Sequence, residues 1–516
     1  MSTNTAIELR HITKRFGSVV ANNDVSLEIR KGEILSVLGE NGCGKTTLMN
    51  MIAGIYYPDE GEILVDGKPV IIRSPKDAFK YKIGMVHQHF KLVDIFTAAE
   101  NIVLVDTEDK HYKMNAVNAK VKEIADRYGF NLDPKKKIYE MSVSEKQTVE
   151  IIKVLYKNSD ILILDEPTAV LTPQETEMLF KVLRKMREDG KSIIIITHKL
   201  HEVLEISDRV AVLRKGEHIA TVDTKDATES SLTEMMVGQK VSLNINRSEP
   251  VDSVTRLKVI GLSATSKDGV KVLDDINFEA KSGEILGIAG IAGSGQRELL
   301  EAIAGLQPLE SGEIDYNDPK TGDIVNLRDK TPLQIRNMGV RLSFVPEDRL
   351  GMGLVGNMNI TDNMMLRSYR KGKSIFVDRE RPKNLAEEII EELQVNTPGV
   401  TTPVRRLSGG NVQKVLVGRE ISAAPRVLMV AYPVRGLDIN SSYTIYNLLN
   451  EQKEKGVSVI FVGEDLDVLL ELCDRILVIN SGRITGICDG RTVTKEEVGL
   501  LMTKSEKAEK EVSDGQ

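Results

Sequence analysis

Short runs of branched apolar residues punctuate this chain: Ile34–Leu38, Ile161–Leu164 and Ser192–Thr197. Each is strand-sized, and longer segments with helical spacing separate them. After the first run, Leu48, Met49 and Ile52 recur at the interval of one helix face. Strands alternating with helices predict an α/β architecture around a largely parallel sheet. Every apolar run is far shorter than a membrane span, so any membrane role is expected to be peripheral.

The pattern occurs twice. Asp208-Arg-Val-Ala-Val-Leu-Arg-Lys-Gly returns as Asp474-Arg-Ile-Leu-Val-Ile-Asn-Ser-Gly, an offset of 474 − 208 = 266. Lys31-Gly-Glu-Ile-Leu returns as Ser282-Gly-Glu-Ile-Leu, an offset of 282 − 31 = 251. Such self-similarity marks two homologous domains, 1–242 and 256–502. The polar stretch 243–255, with Pro250, reads as a linker, and the charged end 503–516 as a disordered tail.

Composition narrows the function classes. The chain has 516 residues, 41% hydrophobic and 28% charged, an ordinary globular balance too long for a single core. A net charge of -7 gives no electrostatic footprint for nucleic acid, so no such partner is expected. Cys43, Cys473 and Cys488 are too few and too scattered for a disulfide framework or a zinc site. Met1 leads directly into charged sequence, from which no signal peptide is expected.

Chemistry concentrates at the ends of the apolar runs. Gly39-Glu40-Asn41-Gly42-Cys43-Gly44-Lys45-Thr46, followed by Thr47, fits G-x-x-x-x-G-K-[ST] between a strand and a helix. There the backbone N–H groups and the helix dipole cradle phosphates, Lys45 neutralises the β- and γ-phosphates, and Thr46 suits Mg²⁺. Ile161-Leu-Ile-Leu ends in Asp165-Glu166, where Asp165 suits the Mg²⁺ shell and Glu166 the polarisation of an attacking water. The run Ser192–Thr197 ends at His198, placed for the γ-phosphate.

Together these residues resemble the ATP-binding cassette (ABC) family over nearly the whole chain. The resemblance implies two tandem P-loop ATPase domains, each with a mainly parallel sheet core and a helical subdomain, using ATP and Mg²⁺. It makes Phe16 the aromatic that stacks on adenine and Gln88 the glutamine that touches Mg²⁺ and senses a membrane partner. It makes Ser408, Gly409, Gly410 and Asn411 part of the signature that clamps the γ-phosphate of an ATP bound to the opposite half. Departures are sorted. In the second half Gln296 and Arg297 replace Lys45 and Thr46, and Ala431 and Tyr432 replace both carboxylates. Lys267, Glu347 and Glu464 stand at the aromatic, glutamine and histidine positions. The first half reads Met141-Ser142-Val143-Ser144-Glu145 at its signature, without glycines, and Thr172 where the second half keeps Asp438. Each half retains what the other lacks, which predicts one live composite site. Cys43 lies inside the loop, read either as a small residue that fits the turn or as a position where a thiol reagent would block nucleotide binding.

The fused pair, with Gly84-Met-Val-His-Gln-His-Phe and Val345-Pro-Glu-Asp-Arg, resembles the ATPases of simple-sugar and nucleoside importers, the nucleoside branch more closely. The resemblance implies two transmembrane permease subunits, docked near Gln88 and residues 90–100, and an extracellular solute-binding lipoprotein. The chain would work at the cytoplasmic face of the cell membrane and never touch the solute. The alternatives are a soluble tandem ABC protein acting on ribosomes and a non-catalytic ATP-binding regulator. The short linker and ruined second site weigh against the first, and the complete Lys45, Asp165, Glu166 and His198 set against the second.

Overall fold

The computed structural model describes residues 4–503 except 18, 89, 105–112, 170, 239–244, 246, 251–252, 267–268, 292, 345–352, 367, 370–376, 423, 436, 438 and 464. The readings made of Lys267, Glu347, Asp438, Glu464 and the segment 504–516 therefore lie outside the described residues. The chain divides into two compact units, Met1–Ser242 and Leu243–Gln516.

In the first unit the strands are β1 (Thr5–Phe16), β2 (Val19–Arg30), β3 (Ile34–Leu38), β4 (Glu60–Val65), β5 (Lys68–Val70), β6 (Ile83–Val86), β7 (Ile161–Asp165), β8 (Ser192–Thr197), β9 (Arg209–Arg214) and β10 (Glu217–Asp223). Six form one sheet in the order β10-β9-β3-β8-β7-β6. All its neighbours are parallel except β10 with β9. The predicted apolar runs are its centre: β3, β7 and β8 are buried at every position. Continuous burial arises from coverage of both faces. One face carries a second, antiparallel sheet, β2-β1-β4-β5, across a core that includes Ile7, Ile12, Val37 and Leu48. The predicted helix is Lys45–Ile52, and Leu48, Met49 and Ile52 are all buried. The helical subdomain is built by Ala98–Val103, Met114–Tyr128 and Val143–Tyr156 around their own small core.

The second unit repeats this plan with β11 (Thr255–Thr265), β12 (Lys271–Lys281), β13 (Ile285–Ala289), β14 (Ser311–Asn317), β15 (Ile324–Asn326), β16 (Val340–Phe344), β17 (Val427–Ala431), β18 (Ser458–Val462), β19 (Arg475–Asn480) and β20 (Arg483–Asp489). Its sheets are ordered β12-β11-β14-β15 and β16-β17-β18-β13-β19-β20, the same connectivity as in the first unit.

The polar stretch read as a linker is bound to the second unit at Ile245, Arg247 and Ser248. Ile245 enters that unit's core, and Arg247 donates to the carbonyls of Leu470 (3.0 Å) and Cys473 (2.6 Å). The Ser248 carbonyl accepts from Lys453 Nζ at 2.5 Å, and Lys453 also pairs with Asp474 at 2.8 Å with both side chains at most 5% exposed. Asp474 Oδ2 further accepts from the Ile285 amide at 2.9 Å, fixing the start of β13. The first unit has Asp208 in the same role toward Ile34, but its Arg187 partner is half in solvent. Breaking a buried pair strands a charge, whereas an exposed pair contributes little. Asp474→Ala is thus expected to cost about 3–5 kcal/mol, against about 1–2 kcal/mol for Asp208→Ala. Urea unfolding of the full chain, monitored by circular dichroism, distinguishes the two; equal losses would contradict this ranking.

Candidate functional site

Parallel strands deliver their carboxyl ends to one edge of the sheet, so the loops that leave those ends are brought together. In the first unit β3 leads into the glycine-rich loop, β7 into Asp165-Glu166, β8 into His198 and β6 into Gln88. Register does the alignment: Leu38 pairs with Thr197, Ile196 with Asp165, and Leu164 with Val86.

The loop requires its glycines for measurable reasons. Gly44 has φ 98°, and a β-carbon there would lie 2.3 Å from the Ala21 carbonyl oxygen. At Gly39 a β-carbon would meet the Leu213 carbonyl oxygen at 2.4 Å. Gly44 thereby starts the helix at Lys45. The buried Lys45 ammonium is held inside the loop, donating to the carbonyls of Gly39 (2.6 Å) and Glu40 (3.0 Å). Asn41 and Gly42 are exposed at the tip, and Thr47 is half-buried. The arrangement fits a polyphosphate: a cation, a backbone cradle and a helix N-terminus converge. Thr46 Oγ1 lies 3.4 Å from Asp165 Oδ1, and this hydroxyl–carboxylate oxygen set suits Mg²⁺.

Glu166 sits at the hub of the remaining groups. Its φ of 47° is left-handed, and its amide donates to the Ile196 carbonyl at 2.9 Å, which turns the side chain out of the strand line. Non-glycine residues adopt this conformation at some cost, which the tie to β8 offsets. Gln88 Nε2 donates to Glu166 Oε2 at 2.8 Å, and His198 Nδ1 lies 3.0 Å from Glu166 Oε1. Burial opposes the Glu166 charge, but the His198 contact and the charges of His198, Lys45 and Lys199 outweigh it, holding the carboxyl below its usual range. Glu166 is thus an ionised acceptor aimed by two neighbours.

Phe16 ends β1 with its ring 43% exposed, open to a stacking partner. Cys43 takes the packing role of its two readings. Its side chain is buried, and burial pushes its thiol pKa up despite the nearby charge of Lys45, so the thiol is a poor target for modification.

Residues without a local motif complete the site. Asn22, fully buried in β2, donates to the Gly44 carbonyl at 3.2 Å. Gln147 donates to the Pro167 carbonyl, and Thr168 to Glu202, pinning the turn after Glu166. Gln147 was detectable only through the repeat, because Gln413 makes the same bond to Pro433.

The second unit keeps the backbone of this site without its chemistry. Gln296 is buried in the place of Lys45 and donates to the Ile291 carbonyl at 3.0 Å. Arg297 pairs with Glu301 along its own helix at 2.7 Å. Tyr432 has the same left-handed turn, φ 53°, and the same amide bond, to Val462 at 2.9 Å, but comes after the buried Ala431.

The two signature helices differ in the opposite sense. Ser408 caps Gly409–Ile421, and the N3 residue Asn411 contributes a neutral amide, whose Nδ2 donates to Ser408 Oγ at 2.9 Å. Gly409 and Gly410 add no side chains of their own at that N-terminus. In the first unit Ser142 and Glu145 form a reciprocal capping box, and Glu145 is further held by Lys136 at 2.6 Å. Although burial opposes it, the bonds from Lys136 and the Ser142 amide keep the Glu145 carboxyl low, so an anion already fills this helix start. Thr172, in place of the aspartate, caps Pro173–Glu188 through Glu175.

The family model for the ABC transporter matches residues 22–169 and again 273–433. The chain is 42% identical over 509 residues to the nucleoside import ATP-binding protein NupA of Lactococcus lactis subsp. cremoris, covering 97% of this chain and 99% of that protein. Identity is 41% to the guanosine import ATP-binding protein NupO of Bacillus subtilis, covering 98% of each. It is 38% to the ribose import ATP-binding protein RbsA 1 of Rubrobacter xylanophilus, covering 97% and 99%. With the double match, the repeated sheet order and the loop geometry in hand, the chain belongs to the ABC transporter family as an ATPase with two tandem ABC domains.

Proposed function

We propose that this chain is the ATP-hydrolysing subunit of an importer and that its single working nucleotide site uses the P-loop of the first unit and the signature of the second. The observation that carries this reading is the convergence of Gln88, Glu166 and His198 beside Lys45, Thr46 and Asp165, against their replacement in the second unit. Lys45 and the loop amides hold the β- and γ-phosphates, and Phe16 stacks on adenine. Thr46, Asp165 and Gln88 would hold Mg²⁺, which supplies charge neutralisation to the phosphates. Glu166 accepts a hydrogen bond from the attacking water, His198 holds that carboxylate and reaches the γ-phosphate, and Gln88 reports occupancy to the membrane partner. Ser408, Gly409, Gly410 and Asn411 clamp the γ-phosphate from the opposite half.

Two permease subunits and an extracellular solute-binding lipoprotein are the partners this reading requires, with the chain peripheral at the cytoplasmic face. None of the described helices is long and apolar enough to cross a membrane. The exposed Val93 and Ile95, five and seven residues beyond Gln88, suit the docking of a permease helix. Nucleosides are the proposed cargo: the relatives at 42% and 41% identity are named for nucleoside and guanosine import, and two at 38% for glucose and ribose import.

Glu166→Gln is expected to lower ATP turnover about 10²–10⁴-fold without weakening ATP binding, whereas Gln296→Ala leaves turnover within about twofold of wild type. A steady-state phosphate-release assay decides, and normal turnover by Glu166→Gln would end the catalytic reading. His198→Ala removes the contact that lowers the Glu166 pKa and leaves the burial that raises it. The acid limb of the residual turnover profile should therefore move to higher pH, and an unmoved limb would remove His198 from the role of holding the carboxylate. Cells lacking the chain should lose uptake of labelled nucleoside and keep that of ribose; the reverse pattern would assign a sugar.

A further inference from the structure

The helix that opens the phosphate loop ends at a second ring. After Ala53 the chain turns at Gly54, φ 76°, with the amides of Gly54 and Ile55 returning to the carbonyls of Met51 (3.2 Å) and Asn50 (2.8 Å). This left-handed exit reverses the chain and delivers Tyr56, whose own amide reaches Asn50 at 3.2 Å. A β-carbon at Gly54 would meet the Ser74 carbonyl oxygen at 2.3 Å, so the turn has little freedom. Tyr56 then lies against Phe16 at 5.1 Å between ring centroids and 71° between planes, an edge-to-face pair. Lys14 Nζ lies 5.5 Å from the same Phe16 centroid and is anchored to Asp59 at 2.9 Å. Phe16 is held on two sides and remains 43% exposed.

The repeat supplies an internal control. At the offset relating Lys45 to Gln296, 296 − 45 = 251, Tyr56 corresponds to 56 + 251 = 307, Lys14 to 265 and Asp59 to 310. The second unit keeps the turn: the Gly305 amide bonds Ala302 at 3.0 Å and the Gln307 amide bonds Glu301 at 3.3 Å. The ring is gone, however. Gln307 instead donates to the Thr265 carbonyl at 2.9 Å, and Thr265 bonds Glu310 where a lysine–aspartate pair stood. Phe16 itself corresponds to Lys267. The half without phosphate-binding and hydrolytic residues has thus also lost the ring, its brace and the cation, while the backbone that positions them persists.

The geometry points to Tyr56 as a positioning residue for the nucleobase, acting through Phe16; this rests on the stacking reading of Phe16. Lys45 and Tyr56 flank one short helix, so the phosphate and base subsites are set by the same rigid element. An edge-to-face partner fixes the ring plane of Phe16 before ATP arrives, so less order remains to be imposed on binding.

Equilibrium binding of ATP and of inorganic tripolyphosphate to the full chain and its variants tests this, because tripolyphosphate reports the phosphate loop alone. Tyr56→Ala should weaken ATP binding about fivefold, the scale of an edge-to-face pair, leave tripolyphosphate binding unchanged, and be rescued by Tyr56→Phe. Equal loss of both ligands would make Tyr56 a structural support of the helix and overturn the inference. Phe16→Ala separates the two layers. If it abolishes the preference for ATP and Tyr56→Ala does not reduce that preference, the brace is wrong; if Phe16→Ala leaves the preference intact, the stacking reading fails first.

Discussion

The backbone of β2 presses against the phosphate loop so closely that only glycine can stand at position 44. The Ala21 carbonyl occupies the space of its β-carbon, and the same approach recurs between Val272 and Gly295 in the second unit, at 2.7 Å. This contact couples the two sheets of each unit. It forces the left-handed turn, the turn sets where the helix starts, and the helix start sets where Lys45 or Gln296 points. Because the constraint is written in backbone atoms, it survived when the side chains around it changed.

Both units therefore keep a frame that outlasts its chemistry. The left-handed residue after β7 and β17 is Glu166 in one and Tyr432 in the other, with the same amide bond to the neighbouring strand. A tyrosine there satisfies the turn and packs against the core, but offers no carboxylate. Gln296 fills the lysine position with a neutral amide of similar reach, satisfied by a loop carbonyl. Stability asks for a filled, hydrogen-bonded site, whereas phosphate chemistry asks for a particular charge. In the second unit the neutral Gln296 and Tyr432 side chains meet the first demand.

Local patterns made the phosphate-loop half of this picture legible. A buried parallel strand is a run of apolar residues, and the residues just past its carboxyl end must lie at the ligand edge. Lys45, Asp165, Glu166 and His198 could therefore be placed from sequence. The antiparallel sheet could not. Register shifts interrupt the pairing of β1 with β2, so burial along β1 does not alternate and the period-two signal is lost. Asn22 and Tyr56 escaped for a related reason: each acts on a residue far away in the chain, and neither carries a local signature. The stretch after Ser242 read as a linker because it is polar, yet the Arg247 guanidinium and the Ser248 carbonyl bind it to the second unit. Polarity there reflects satisfied hydrogen bonds, not a free tether.

The self-capped helix at Ser142 has an energetic corollary. Both helices start at a serine cap, worth about 1 kcal/mol, but only Ser142 is joined by a carboxylate, Glu145, that reaches back to the cap amide. The helix Val143–Tyr156 is accordingly a better-formed helix start than Gly409–Ile421. Removing Glu145 would open that start and take from Lys136 the carboxylate that it holds at 2.6 Å. An anion brought to the start of Val143–Tyr156 would have to displace the protein's own carboxylate, whereas one brought to the start of Gly409–Ile421 would meet a neutral amide.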